Sequence, residues 1–197
     1  MTAPARPSRP VRPVRPPQAH RLRTLSVRTR IVIGALTVGV IVGAGVIDGL
    51  TRNPTPVDQV VDQGPAPQFR VATVADSNRQ VELVTYEGRP IVLNFWGSWC
   101  TPCQKELPLL SSAARQDRRV HFIGMDLEDT RGAALATIRR YHLPYISGFD
   151  PQDSVADLYA LNGTPTTIFI NSRGHIVGRV EGALDRTRLD WWLAHLT

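Results

Sequence analysis

The stretch Ile91-Val92-Leu93-Asn94-Phe95-Trp96-Gly97-Ser98-Trp99-Cys100-Thr101-Pro102-Cys103 decides how the chain is to be read. Its first six residues form an almost unbroken apolar run with β-branched content, which predicts a strand buried on both faces. Gly97-Ser98 breaks the run, and a helical pattern starts near Cys100 and continues through Leu107, Leu110 and Ala114. The only two cysteines of the chain therefore sit where a buried strand turns into a helix. With Cys100 in the first turn, residues 100 and 103 share a face, their Cβ atoms roughly 5–6 Å apart. A small adjustment brings them within disulfide range. The unpaired amides of a helix start favour a thiolate, so the Cys100 thiol is expected below its ordinary pKa and is the attacking sulfur. Pro102 fits an early helical position, where no amide is needed.

Three plainer readings compete with redox chemistry. A structural staple over a four-residue loop gains roughly 2 kcal/mol of loop entropy, against about 4.7 for a hundred-residue loop, so a lone staple belongs on a longer one. A zinc site needs four ligands, and His121, His142, His175 and His195 are scattered without ligand spacing. Two buried free thiols suit a reducing compartment, which the topology argued below contradicts. No metal and no bound cofactor is expected; the redox group is the Cys100–Cys103 pair itself.

Outward from this segment, Phe69–Val74 and Val81–Val84 are strand candidates, followed by a turn at Glu87-Gly88-Arg89. Val120–Gly124 is the next buried strand. A helix is expected from Thr130 to Tyr141, capped by Asp129 or Thr130, with Leu135, Ile138 and Tyr141 on one face. Asp126, Glu128 and Asp129 read as caps and dipole partners of that helix rather than a metal loop. Ser154–Tyr159 is a shorter helix. Thr166–Ile170 and Ile176–Val180 make a hairpin across the turn 171–174. A last helix begins near Asp185 with Leu189, Trp192, Leu193 and Leu196 on one face. The plan is α/β with a mixed central sheet flanked by helices.

The N-terminal third is different material. Residues 1–30 contain eight Arg, no acid and a Pro-rich run, so this segment carries +8 and residues 31–197 sum to −2 of the +6 total. It has little apolar surface to bury and is expected to stay disordered as a cytoplasmic tail. It lacks aromatic residues to stack on bases, and no nucleic-acid partner is expected. Ile31 to Ile47 follows without a charge; as a helix it spans roughly 25 Å, a little short of a bilayer core. Arginines precede it and Asp48, Arg52, Asp58 and Asp62 follow, so residues 31–47 read as a single-pass anchor with the C-terminal part outside. Cleavage as a signal peptide, giving a secreted domain, is the alternative. Residues 48–66 read as a linker rich in Pro and Gly, and 67–197 as one domain.

Asn94 to Cys103, continued by Glu106-Leu107-Pro108, resembles the active-site segment of the TlpA/ResA-like (CcmG-like) thioredoxin family. Ala66-Pro67-Gln68-Phe69 and Gly163-Thr164-Pro165-Thr166-Thr167 match further motifs, and the likeness covers residues 65–197. It implies a thioredoxin fold with an insertion after the second core strand, within about residues 127–150. It implies that Cys100 is the nucleophile and Cys103 the resolving thiol. Pro165 would be a cis-proline facing the disulfide, with Thr164 offering backbone hydrogen bonds to substrate. Glu106 would help move the protons of the pair, in place of the Asp that cytoplasmic thioredoxins keep at the position of Asn94. Trp99 and Trp96 are expected to flank the site, though a strand Trp is first of all core packing; Thr101 and Pro102 support it.

The resemblance thus implies an extracytoplasmic protein thiol–disulfide oxidoreductase, a reductase of protein disulfides such as apocytochrome c cysteines during cytochrome c maturation. An integral-membrane thiol carrier would be its electron donor. A disulfide-forming oxidant for secreted proteins (DsbE-like) uses the same motif, because direction depends on reduction potential. A peroxiredoxin-type peroxidase needs P-x-x-x-T-x-x-C, and Leu93 and Gly97 stand where Pro and Thr are required. A copper-delivery protein needs a wider cysteine spacing and a late His, for which His175 is the only candidate.

Overall fold

The computed structural model of the chain describes residues 62–196. The tail, the 31–47 anchor and most of the linker lie outside the described residues. Among those described, no helix is long and apolar enough to cross a membrane.

A small antiparallel sheet comes first, β1 (Arg70–Ala72) with β2 (Gln80–Glu82). Leu83–Tyr86 forms a 3₁₀ turn where the second strand was expected to continue. The main sheet then takes β3 (Ile91–Trp96), β4 (His121–Leu127), β5 (Ile146–Asp150), β6 (Thr166–Ile170) and β7 (Ile176–Glu181). Their spatial order is β5-β4-β3-β6-β7. β3, β4 and β5 are parallel; β6 runs antiparallel to β3, and β7 antiparallel to β6. Helix α1 (Thr101–Gln116) links β3 to β4, α2 (Arg131–Arg140) links β4 to β5, and α3 (Ser154–Leu158) precedes β6. Helix α4 (Arg186–His195) closes the chain. This is the mixed sheet flanked by helices that a thioredoxin fold requires.

Central β3 is buried at all six positions, as its unbroken apolar run demands. One face packs Leu93, Phe95, Ile123 and Met125 against Phe69, Val155 and Tyr159. The other packs Val92, Phe122 and Phe169 against Leu110 of α1 and Leu189, Trp192 and Leu196 of α4. Trp192 stacks on Phe169 with ring centroids 4.5 Å apart, which only Gly178 on β7 allows: a Cβ there would meet the indole at 2.0 Å. Leu193 is only partly buried.

Three details differ from the expectations. Within 127–150 the expected helix, α2, is followed by a strand that the sequence pattern does not announce, β5, paired parallel to β4. The fully buried residues of α2 are Ala134 and Thr137, while Leu135, Ile138 and Tyr141 are partly buried against the cluster that contains Ala134. Third, backbone pairing begins ahead of Pro67. Gln63 N donates to Ile176 O, Ile176 N to Gly64 O, and Ala66 N to Gly174 O, each near 2.8–2.9 Å.

Candidate active site

Gly97 and Ser98 turn the chain out of β3 and into α1, with Cys100 as N-cap in extended conformation. Its Sγ accepts the Cys103 amide at 3.2 Å, so the sulfur lies among the free amides of the first turn. Cys100 and Cys103 form a disulfide across a Cα–Cα distance of 5.3 Å. Cys103 is sealed at 0 % exposure and Cys100 keeps 4 %. An outside thiol therefore reaches only Cys100. Thr101 and exposed Pro102 complete the helix start, where the missing Pro102 amide leaves nothing unpaired.

The loop over the disulfide is held from three sides. The Ser98 amide donates to Asp129 Oδ2 at 2.8 Å. The Trp99 indole N–H donates to the Leu127 carbonyl at 3.2 Å. Gln104 Nε2 donates to the Ser98 carbonyl at 2.6 Å. Trp99 nevertheless stays half exposed, at 53 %, an apolar plate beside the cysteines. Trp96 differs: it is fully buried in the cluster with Cys100, Cys103 and Leu107, so its part is packing beneath the site.

The Thr164–Pro165 bond is cis. Phe95 pairs with Thr166 in the β3–β6 ladder, which sets Pro165 level with Trp96 at the end of the sheet that carries the cysteines. Pro165 is buried and Thr164 half-buried. The Pro165 carbonyl accepts the Gly182 amide.

Glu106 is no exposed helix acid. It lies one turn beyond Cys103 on the buried face of α1, with 1 % exposure, whereas Lys105 beside it is exposed. Its Oε1 accepts Asn94 Nδ2 at 2.8 Å and its Oε2 accepts the Leu184 amide at 2.7 Å. Desolvation pushes its pKa up to about 7, and the two hydrogen bonds restrain the rise. Asn94 Nδ2 also donates to Thr167 Oγ1 at 3.0 Å, tying β3, β6 and α1 together. The Tyr145 hydroxyl is buried without a hydrogen-bond partner among the described residues. Burial first, and the Glu106 charge second, hold its pKa above the usual tyrosine range. A carboxyl that titrates near neutrality within one turn of a thiol can take or return that thiol's proton.

Asp126 corrects an expectation. It is not a helix cap but a fully buried strand residue, with neither oxygen hydrogen-bonded to an N–H or O–H donor among the described residues. Thr130 caps α2 instead, accepting the Ala133 amide at 3.3 Å. His175 Nδ1 meets the Asp62 carboxylate at 2.9 Å beside the start of β7, at the end of the sheet away from the cysteines. It cannot join them around one copper ion. Among the described residues no group of three His, Cys, Asp or Glu could hold a metal ion.

The AhpC/TSA family profile matches residues 63–179, more than half of the chain. The chain belongs to the AhpC/TSA family. Within it, the chain is 33 % identical over 132 residues to the thiol-disulfide oxidoreductase ResA of Oceanobacillus iheyensis, covering 65 % of this chain and 69 % of that one. It is 31 % identical over 138 residues to the thiol:disulfide interchange protein DsbE of Allochromatium vinosum, covering 70 % and 76 %. Among solved structures, a secreted disulfide oxidoreductase of Mycobacterium tuberculosis superposes with a TM-score of 0.60 at 26 % identity, over 66 % of this chain and 96 % of that one. A DsbF homologue from Corynebacterium diphtheriae reaches 0.63 at 21 % identity, over 74 % and 97 %, and speaks for the fold alone. This member of the AhpC/TSA family is accordingly a thioredoxin-fold thiol–disulfide oxidoreductase.

The residues that sequence reasoning left out of the site are Asn94 as the partner of Glu106 and the Leu184 amide. Asn94 carried a signal, a polar residue inside an apolar strand, which a buried partner explains. The Leu184 amide carried none, since it lies 78 residues from Glu106.

Proposed function

We propose that this enzyme works outside the cytoplasmic membrane as a reductase of protein disulfides, with the disulfide-bonded cysteines of apocytochrome c as the substrate class. The observation that carries the reading is the Cys100 sulfur at the start of α1, with a buried acid of near-neutral pKa one turn beyond Cys103. The reduced enzyme attacks a substrate disulfide through the Cys100 thiolate. A mixed disulfide forms as one substrate thiolate leaves, and Cys103 then attacks Cys100 Sγ to release the second. Cys103 must lose a proton in that step, and Glu106 is the acceptor. Substrate lies extended along Thr164 and Pro165, with Trp99 covering its apolar side. The run 31–47 is the anchor, with the basic tail inside. An integral-membrane thiol carrier reduces Cys100–Cys103 again.

Oxidation of secreted proteins is the second reading, favoured by the likeness to a disulfide interchange protein and to a secreted disulfide oxidoreductase. The equilibrium reduction potential of the chain against glutathione or dithiothreitol separates the two. A reductase sits near the thioredoxin value of about −270 mV; a value near about −120 mV makes the enzyme a disulfide donor.

A further inference from the structure

A hollow of about 480 Å³ lies at the end of the sheet opposite the cysteines, where β3, β4 and β5 begin. Small-molecule sites run from roughly 300 to 1,000 Å³. Three arginines line it: Arg79 from the turn ahead of β2, Arg89 just ahead of β3, and Arg118 from the turn between α1 and β4. His121, the first residue of β4, lines it too, its ring centroid 5.2 Å from that of Tyr86. Buried Val120 and Phe122 give it an apolar wall, and charge contacts made beside such a wall are less screened by water.

The positive charge here is not met from within the described residues. Asp117 is the one acid that lines the hollow, and Arg119 already holds that carboxylate in a fork, Nε to Oδ1 at 3.0 Å and Nη2 to Oδ2 at 2.8 Å. Arg89 donates through Nε and Nη2 to the carbonyls of Arg119 and Arg118, which fixes its guanidinium and leaves Nη1 unbonded. The Arg79 and Arg118 side chains make no hydrogen bond or ion pair among the described residues. Burial first, and the Arg89 charge second, hold the His121 pKa below its ordinary value, so the imidazole is neutral at pH 7 and adds no repulsion. Residues 62–197 hold fourteen Lys and Arg against fifteen Asp and Glu, so the surplus of cations is local to this hollow. Three guanidiniums around one concavity repel each other, and an anion entering between them relieves that repulsion.

We propose that this hollow binds a phosphate group, carried by an anionic phospholipid head or by a free phosphorylated small molecule. Guanidinium forks match the oxygens of a phosphate, and Arg89, already fixed by two carbonyls, needs little further ordering to bind one. The lipid source has support from the course of the chain. Gln63 to Ala66 run along Gly174 to Ile176 at this same end of the sheet. Residues 48–61 can span at most roughly 50 Å, so a bilayer holding residues 31–47 stands within reach of the hollow. The lipid source rests on the anchor reading of residues 31–47; the phosphate site does not.

Labelling of the full chain with the guanidine reagent phenylglyoxal, mapped by mass spectrometry, tests the site. In a titration with inorganic phosphate, Arg79, Arg89 and Arg118 should slow together, reaching about tenfold at about ten times the midpoint, by mass action. Arg139 and Arg173, exposed outside the hollow, should keep their rates, and chloride at equal ionic strength should protect none of the five. Equal slowing of all five, or equal protection by chloride, overturns the proposal. In a chain carrying both Arg79→Gln and Arg118→Gln, phosphate should slow Arg89 by less than about twofold. Undiminished protection of Arg89 there overturns the joint site. Neither substitution touches the redox centre, so unchanged thiol–disulfide exchange shows that the variant is folded. Vesicles of phosphatidylcholine, with or without phosphatidylglycerol, separate the two sources. Protection that requires phosphatidylglycerol assigns the lipid head. Protection by free phosphate but by neither vesicle assigns the small molecule, and the site stands while its lipid source fails. Protection by polyglutamate but not by phosphate overturns the proposal in favour of an acidic protein partner.

Discussion

At the scale of single residues, Glu106 shows how position and depth separate. Its place one turn after Cys103 follows from spacing alone. Its burial does not, because the enclosing groups, Asn94 on β3 and the Leu184 amide before α4, come from distant parts of the chain. Both of its oxygens face donors, so the ionised form is solvated by the protein while desolvation opposes it. The folded pKa is raised from 4.5 to about 7. The native state therefore holds a proton that the unfolded chain gives up above about pH 4.5, and stability falls as pH rises through that window. The shift corresponds to roughly 3 kcal/mol at most. Glu106→Gln, whose amide can be met by a flipped Asn94, should lose this decline between pH 5 and pH 8 in urea titrations. It should also lose the inflection near neutrality in the rate of exchange. An unchanged inflection would remove Glu106 from the proton path.

At the scale of elements, what could be read in advance was what one element states about itself. The apolar run of β3, the caps Thr130 and Asp185 and the hairpin turn are local signals, and each element stands within a few residues of its expected bounds. β5 was missed because Ile146-Ser147-Gly148-Phe149-Asp150 has neither a continuous apolar run nor an alternating one. Its small residues answer to neighbours. A Cβ on Gly148 would meet Val71 Cγ2 at 2.7 Å, and one on Gly124 would meet Ser147 Oγ at 2.5 Å and Trp96 Nε1 at 2.7 Å. The same close packing makes Gly178 the most sensitive backbone position of the second core face. Gly178→Val drives a branched side chain into the Trp192 ring, which is wedged against Phe169 and cannot withdraw. A loss of about 3 kcal/mol or more is expected in chemical denaturation, at the upper end for overpacking. A loss under about 1 kcal/mol would mean that α4 shifts as a body.

At the scale of the whole domain, the site and the start of the described chain lie at opposite ends of the sheet. Cys100, Trp99 and Pro165 gather where β3 ends and β6 begins. The described chain begins at the other end, where Gln63 to Ala66 lie along Gly174 to Ile176. Roughly 17–20 Å of strand separates the two, at about 3.3 Å per residue. Chain order made the domain and its reaction centre legible, because strand, cysteine pair, helix and late Thr-Pro follow one another in a pattern with few alternatives. Redox direction was not legible, because it is a difference in free energy between two states of the same residues. Attack and resolution by named sulfurs is the claim on which the rest depends, and Cys103→Ser tests it most directly. The reduced variant is incubated with an oxidised protein substrate and separated on a non-reducing gel. The account predicts accumulated mixed disulfides through Cys100, and none with Cys100→Ser. Equal loss of exchange in both variants, with no trapped complex in either, would contradict it.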